Sequence, residues 1–305
     1  GINAEYGDVM TYFVIGMAGS GKSTLVKQLQ SQLENAFVVN LDPAVLNTPY
    51  VPNVDIRDSV NYDQLITENK LGPNGAILTA LNLFVSRLDQ LTKLLPTDRP
   101  IIFDAPGQIE SFVWSASGEI LLRAFRASVL IYVVDGSRCK NPSVFVSSMI
   151  YLLSIVNRMK IPNCIVALNK TDMLAETLGA EEQQMFTDNT DESQTNNTFL
   201  DLVMQFPNNS MLLNDIFVRQ AESDFQSSFL NSVQLNLEEH WQKFSFQFIS
   251  CKSKEGLDAL QDEMARQMKE RVEEAEKEEK EYVVKDMVKA RQQLQKVEED
   301  LDEND

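Results

Sequence analysis

The chain has 305 residues, 43% of them hydrophobic, enough for one large core or two modest ones and too many for a disulfide knot or a disordered chain. Asp and Glu outnumber Lys and Arg 45 to 27, a formal net charge of -18, so no overall basic field draws in nucleic acid or an anionic membrane, and neither is expected as a direct partner. The three cysteines, Cys139, Cys164 and Cys251, stand far apart without a C-x-x-C pair, and there is one histidine, which argues against a disulfide framework and against a zinc site.

Residues Gly1 to Val9 carry neither a basic nor an apolar stretch. They do not read as a secretory signal and, with Met10 just before the first strand pattern, they read as an expression remnant. Continuous runs rich in Val, Ile and Phe follow at Thr11 to Ile15, Phe37 to Leu41, Ile101 to Phe103, Val129 to Val134, Cys164 to Leu168 and Phe246 to Ile249, the pattern of strands buried on both faces. Amphipathic stretches lie between them at Lys22 to Leu33, Ala76 to Leu95, Glu119 to Phe125 and Pro142 to Met159. The alternation predicts a three-layer α/β domain with a mainly parallel sheet wrapped by helices. No apolar run approaches the roughly 20 residues a bilayer span needs, and the chain reads as soluble and intracellular.

The alternation breaks after Asp172. The stretch from Met173 to Ser245 is far longer than a connection needs and predicts a helical insertion, polar at Thr187 to Thr198 and then rich in aromatic residues such as Phe199, Phe206, Phe217 and Trp241. The core pattern resumes over 246–265, with Leu260, Met264, Met268 and Val272 one turn apart on a final helix that begins near Ser253. A charged helical tail is expected over 266–305. The expected divisions are therefore 1–9, a core over 10–172, an insertion over 173–245, the last core strand and closing helix over 246–265, and the tail. Charge is uneven among them: residues 1–172 hold 14 basic and 15 acidic groups, and 173–245 hold 2 and 12. The insertion's apolar residues either pack on one another and on the domain or line an exposed groove for a partner segment, and its charge is expected to give an acidic, apolar-centred surface that favours basic or amphipathic protein segments.

Gly16-Met17-Ala18-Gly19-Ser20-Gly21-Lys22-Ser23 fits G-x-x-x-x-G-K-[ST] between a predicted strand and a predicted helix, the context that pattern requires. Its glycines let successive N–H groups, from Gly19 through Thr24, turn toward phosphate oxygens at a helix N-terminus. Lys22 then reaches the β and γ phosphates, and the Ser23 hydroxyl joins the shell of a Mg²⁺ ion. A dinucleotide-binding fold is disfavoured, because the spacing is not G-x-G-x-x-G. Asp104-Ala105-Pro106-Gly107-Gln108 follows the next predicted strand; Asp104 suits Mg²⁺ through water, and Gly107 can turn its N–H to a γ-phosphate, although the same letters also make an ordinary turn. Asn169-Lys170-Thr171-Asp172 ends another strand. The Asp172 carboxylate can accept two hydrogens from guanine and finds no such pair on adenine; Asn169 would brace the loop, and the Lys170 stem would lie over the purine. Ser250, Cys251 and Lys252 fit the loop closing over the base from the other side, with Cys251 supporting backbone rather than acting as a thiol.

With Gly72-Pro73-Asn74 inside LGPNGAI, NLDPA at Asn40 to Ala44, DIRD at Asp55 to Asp58, DAPGQIE at Asp104 to Glu110 and FVWSASG at Phe112 to Gly118, the chain resembles the GPN-loop GTPases from about Met10 to Leu260. NLDPAV and FVWSASG are most similar to the first of the eukaryotic paralogues. The resemblance implies a Mg²⁺-dependent enzyme that hydrolyses GTP to GDP as a dimer, in which the Gly72-Pro73-Asn74 loop of one subunit reaches the other's nucleotide. Pro73 would fix that loop's shape, and the Asn74 amide would donate to a γ-phosphate oxygen or the leaving phosphate. Asp42 would lie near the Mg²⁺ and the attacking water, which Gln108 and Glu110 would orient. It further implies a homodimer or a heterodimer with a paralogue, RNA polymerase II subunits as client in assembly and nuclear import, and a cytoplasmic location with shuttling to the nucleus. Two other readings stay open: a P-loop kinase of nucleosides or small molecules, which has no use for N-K-x-D, and a GTP-binding module without turnover.

Overall fold

The computed structural model describes residues 10–33, 35–125, 127–139, 142–161, 164–173 and 243–277. Seven strands, β1 (Thr11–Ile15), β2 (Phe37–Asn40), β3 (Val54–Asp55), β4 (Ile101–Asp104), β5 (Ser128–Asp135), β6 (Cys164–Asn169) and β7 (Phe244–Phe248), form one sheet in the order β3-β2-β4-β1-β5-β6-β7. Every neighbouring pair is parallel. A parallel sheet is buried on both faces, which is why its strands read as unbroken apolar runs.

Side chains alternate between two cores. Phe13 and Ile15 of β1 face one side together with Phe103, whose ring stacks on Phe13 at 4.7 Å, and with Phe112 and Phe125. Helices α2 (Ile56–Ser59), α3 (Tyr62–Thr67), α4 (Pro73–Val85), α5 (Leu88–Leu94), α6 (Ile109–Val113), α7 (Ala116–Ala124) and α8 (Pro142–Met159) cover that side. Tyr12 and Val14 face the other, closed by Leu25, Val26 and Leu29 of α1 (Lys22–Gln32) and by Leu257, Leu260, Met264 and Met268 of a helix over 257–277. Val272 packs against the same core, so the predicted apolar stripe of the last helix is the face that closes the domain.

Several boundaries differ from the sequence reading. The stretch predicted as one helix from Ala76 to Leu95 is two, starting at Pro73 because proline suits the first turn and breaking at Ser86 and Arg87. Phe84, Val85, Leu88 and Leu91 all enter one core, so the apolar period runs straight through the break and hides it. Helix α7 starts at Ala116 rather than Glu119, capped by the Ser115 hydroxyl accepting from the Gly118 N–H at 3.0 Å. Strand β7 starts at Phe244, and the last helix at 257 rather than 253, running unbroken past 265. Strand β3 and helices α2, α3 and α6 are too short for a periodic signal. The predicted insertion, apart from its two ends, lies outside the described residues, as do Gly1 to Val9 and the tail beyond 277.

The chain leaves β1 through α1 and passes beyond β4 to β2, while β5 lies on β1's other side. The carboxyl end of β1 is therefore a topological switch point, where α/β sheets open a crevice for ligands.

Candidate nucleotide site

The phosphate loop crosses that crevice. Gly21 caps α1 in the left-handed region at φ 95°, and a Cβ there would collide with the Asn169 amide. Gly16 is held as tightly, since a Cβ would run into the Val133 carbonyl of β5. Helix α1 has no side-chain cap and no acidic residue in its first turn, which leaves its positive end open to an anion. Lys22 is buried, and its Nζ donates to the Met17 carbonyl at 3.3 Å. Burial lowers its pKa, opposed by the carboxylates of Asp104 and Asp42. The Ser20 hydroxyl is buried with no hydrogen-bond partner among the described residues.

Asp104 ends β4 and is 2% exposed. Its Oδ2 accepts from the Tyr50 hydroxyl at 2.7 Å, while Oδ1 has no hydrogen bond of ordinary geometry. Burial pushes this carboxyl up to about 6, restrained by the hydroxyls of Tyr50 and Ser23 and by the Lys22 ammonium. Among the described residues no cluster of three or more His, Cys, Asp or Glu can hold a metal. One unpartnered carboxylate oxygen beside a serine hydroxyl instead suits a hard cation that draws its remaining ligands from phosphate and water, as Mg²⁺ does.

Asp42, expected near the Mg²⁺ and the attacking water, is bound to backbone on both oxygens. Its Oδ2 accepts from the Gly107 N–H at 2.9 Å and its Oδ1 from the Ala44 N–H at 3.0 Å. A brace supports the loop behind it. Asn40 Nδ2 donates to Asp55 Oδ1 at 3.1 Å, and Arg57 clasps both Asp55 oxygens while donating to the carbonyls of Val45 and Leu46 at 3.0 Å. Burial pushes the Asp55 carboxyl up, but the hydrogen bonds from Arg57 and Asn40 outweigh it and hold its pKa below the ordinary range.

At the other end, Asn169 joins two loops. Its Nδ2 donates to the Ser20 carbonyl of the phosphate loop at 3.0 Å, and its Oδ1 accepts from the Cys251 N–H at 3.1 Å. Lys170, at φ 67°, donates to the Gly19 carbonyl at 2.8 Å and to Asp135 Oδ2 at 2.7 Å. The Ser250 hydroxyl donates to Asp172 Oδ1 at 2.7 Å and accepts from the Ser253 N–H at 3.1 Å. Burial pushes the Cys251 thiol up to about 12, so it stays protonated at neutral pH, and its carbonyl accepts from Gln28 at 2.9 Å. Lys252 is exposed.

Phosphate loop, acidic strand ends and base loop thus converge on one crevice in the order the sequence places them. A family profile described as "conserved hypothetical ATP binding protein" matches residues 14–270. The chain is 37% identical to GPN-loop GTPase 1 of Schizosaccharomyces pombe over 86% of its own length and 69% of the relative's. The chain belongs to the GPN-loop GTPase family. It is 39% identical to GPN-loop GTPase 1 of Saccharomyces cerevisiae, over 81% of this chain and 63% of that one, so it spans less than two-thirds of that relative. A crystal structure of a GTPase in apo form from Pyrococcus abyssi shares the fold, with a TM-score of 0.61 and 23% identity over 85% of this chain and 97% of that one.

Of the remaining residues singled out in the sequence, Gly72, Pro73 and Asn74 are exposed at the start of α4, and the Pro73 carbonyl accepts from Tyr62 at 3.4 Å. The Asn74 side chain makes no hydrogen bond among the described residues, and none ties it to the phosphate loop of its own chain. Gln108 is exposed before α6; Glu110 is exposed and accepts from the Tyr151 hydroxyl at 3.3 Å. Three site residues escape the motif reading. Tyr50 and Asp135 are single residues whose partners lie 54 and 35 positions away. The only signal for Asp135 is an acid at a strand's carboxyl end, as for Asp104. Arg57 sits inside DIRD, which the sequence offers as a family marker without a role.

Proposed function

We propose that the chain binds GTP in this crevice with Mg²⁺ and hydrolyses it to GDP and phosphate. The observation that carries the reading is Asn169, one side chain that fastens the phosphate loop to the base loop beside Asp172. The family profile's description speaks of ATP, but the Asp172 carboxylate meets a matching pair of donors only on guanine. Lys22 and the open end of α1 bind the β and γ phosphates, and Asp104 and Ser23 hold the Mg²⁺ shell, with Asp42 close by. Bound there, Mg²⁺ supplies charge neutralisation on the phosphate oxygens. Gln108 and Glu110 orient the water whose oxygen attacks the γ-phosphorus as the bond to the bridging oxygen breaks. The protein's share of the work is positioning and charge stabilisation.

By family resemblance, Asn74 acts on the nucleotide of a second copy or of a paralogue, and the dimer serves a protein client of the RNA polymerase II subunit class, in the cytoplasm and in transit to the nucleus. The exposure of Gly72, Pro73 and Asn74, and the lack of any tie to their own phosphate loop, support action in trans.

Competition between GDP and ADP, with single-turnover hydrolysis, tests the reading. GDP is expected to bind about 100-fold or more tighter than ADP. Gln108→Leu and Glu110→Ala are each expected to slow the chemical step about 100-fold with GDP affinity intact. A preference for ADP would favour the kinase reading, and variants as fast as wild type would remove the water-orienting roles. Asn74→Ala and Lys22→Ala chains, each slow alone, should complement one another when mixed; purely additive rates at every ratio contradict action in trans.

A further inference from the structure

The loop after β2 grips the loop after β4 at two points: the Gly107 N–H on Asp42, and the Tyr50 hydroxyl on Asp104. The second contact is buried, with Tyr50 5% and Asp104 2% exposed. It divides the Asp104 carboxylate into two unlike oxygens. Oδ2 is capped at 2.7 Å, and Oδ1 has no hydrogen bond of ordinary geometry among the described residues, with the Ser23 hydroxyl and the Lys22 ammonium beside the carboxylate. A carboxylate can turn about its Cβ–Cγ bond, and a short hydrogen bond to one oxygen holds that rotation and fixes where the other oxygen faces.

Tyr50 is itself held from several sides. Its ring belongs to the core under α1, and its carbonyl accepts from the Thr48 hydroxyl at 2.9 Å. Gln30 of α1 donates to the next carbonyl, Val51, at 2.8 Å, and Asn53 exchanges two 2.8 Å hydrogen bonds with Val38 of β2. A tyrosine placed only for packing needs some acceptor for its hydroxyl. This one takes the buried carboxylate at the end of β4, beside the phosphate loop's Lys22 and Ser23.

We infer that Tyr50 is a positioning residue for Mg²⁺: its hydroxyl fixes Asp104 so that one carboxylate oxygen faces the cation's water shell. The inference rests on the proposed Mg²⁺-nucleotide reading of the site. Partners that orient a metal-binding group in this way typically change metal affinity about 10–100-fold when removed.

The test titrates Mg²⁺ into the full chain holding a fluorescent GDP analogue, reading nucleotide dissociation rather than turnover. In Tyr50→Phe, half-saturating Mg²⁺ is expected to rise about 10-fold or more, with nucleotide affinity in excess chelator within about twofold of wild type. A site-specific 3-fluorotyrosine at position 50, which keeps the hydroxyl, should behave as wild type. If Tyr50→Phe does not fold, Thr48→Ala loosens the Tyr50 main chain without touching the ring and should shift the Mg²⁺ midpoint in the same direction. An unchanged midpoint in the soluble variant, or an equal loss of nucleotide affinity with and without Mg²⁺, overturns the role of Tyr50. A wild-type chain whose nucleotide dissociation ignores Mg²⁺ overturns the underlying reading instead.

Discussion

The two ends of the crevice are built on opposite terms. At the base end the described polar side chains that matter are paired: Asn169 with Ser20 and Cys251, Lys170 with Gly19 and Asp135, Asp172 with Ser250. At the phosphate end, Asp104 Oδ1 and the Ser20 hydroxyl are buried with no hydrogen bond of ordinary geometry among the described residues, and Lys22 donates to a carbonyl at 3.3 Å. Buried polar groups are normally satisfied, and those left over mark where something else completes the set. The base end is a frame that stands by itself. The phosphate end presents groups suited to the triphosphate and Mg²⁺ of the proposed function.

Removing a phosphate-end group and removing a frame group should therefore fail differently. Lys22→Ala is expected to have the largest effect, slowing hydrolysis about 100- to 1,000-fold. It should leave the nucleotide-free melting temperature nearly unchanged, because the burial that lowers the Lys22 pKa opposes the attraction of Asp104 and Asp42. Thermal melts beside single-turnover assays check both halves. Asn169→Ala strikes the frame and leaves the Ser20 carbonyl and Cys251 N–H unpaired, which should cost about 2–4 kcal/mol of folding stability as well as GDP affinity. A variant that loses affinity at unchanged stability would break the contrast.

Asp55→Asn sharpens the comparison at the outer brace, where about 1–2 kcal/mol of stability should be lost at neutral pH. Because the folded-state pKa of Asp55 is depressed, its contribution is complete above the ordinary carboxylate value, about pH 4. It fades as pH falls through the lower folded value. Denaturation of wild type and variant across that range should converge at the acid end, and a constant gap would contradict the hydrogen-bonded carboxylate. Ser250→Ala, the mildest change, removes one donor from Asp172 and should weaken GDP binding by about 3- to 10-fold, measurable by competition.

Much of this arrangement was legible before any coordinate. Strands buried on both faces announce themselves, and each nucleotide motif is contiguous because a strand end must deliver its side chains within a few residues. Contacts that cross between elements were not legible. Nothing beside Tyr50 marks it as the partner of Asp104, 54 positions away, and nothing in DIRD states that Arg57 carries the carbonyls of Val45 and Leu46. The break at Ser86 and Arg87 was hidden for a related reason: one core accepts apolar residues from both α4 and α5, and periodicity records the face rather than the turn.

The hydrogen bond from Gly107 to Asp42 sets up a competition. A main-chain amide has one hydrogen, and this one is already given to a carboxylate 65 positions earlier in the chain. A ligand oxygen that claims it must share it with Asp42 or displace Asp42, one anion against another, and a weak or uncharged acceptor gains little by the exchange. The loops after β2 and β4 therefore compete with a terminal phosphate for this contact: the firmer the two loops hold each other there, the less of that amide is left for the ligand.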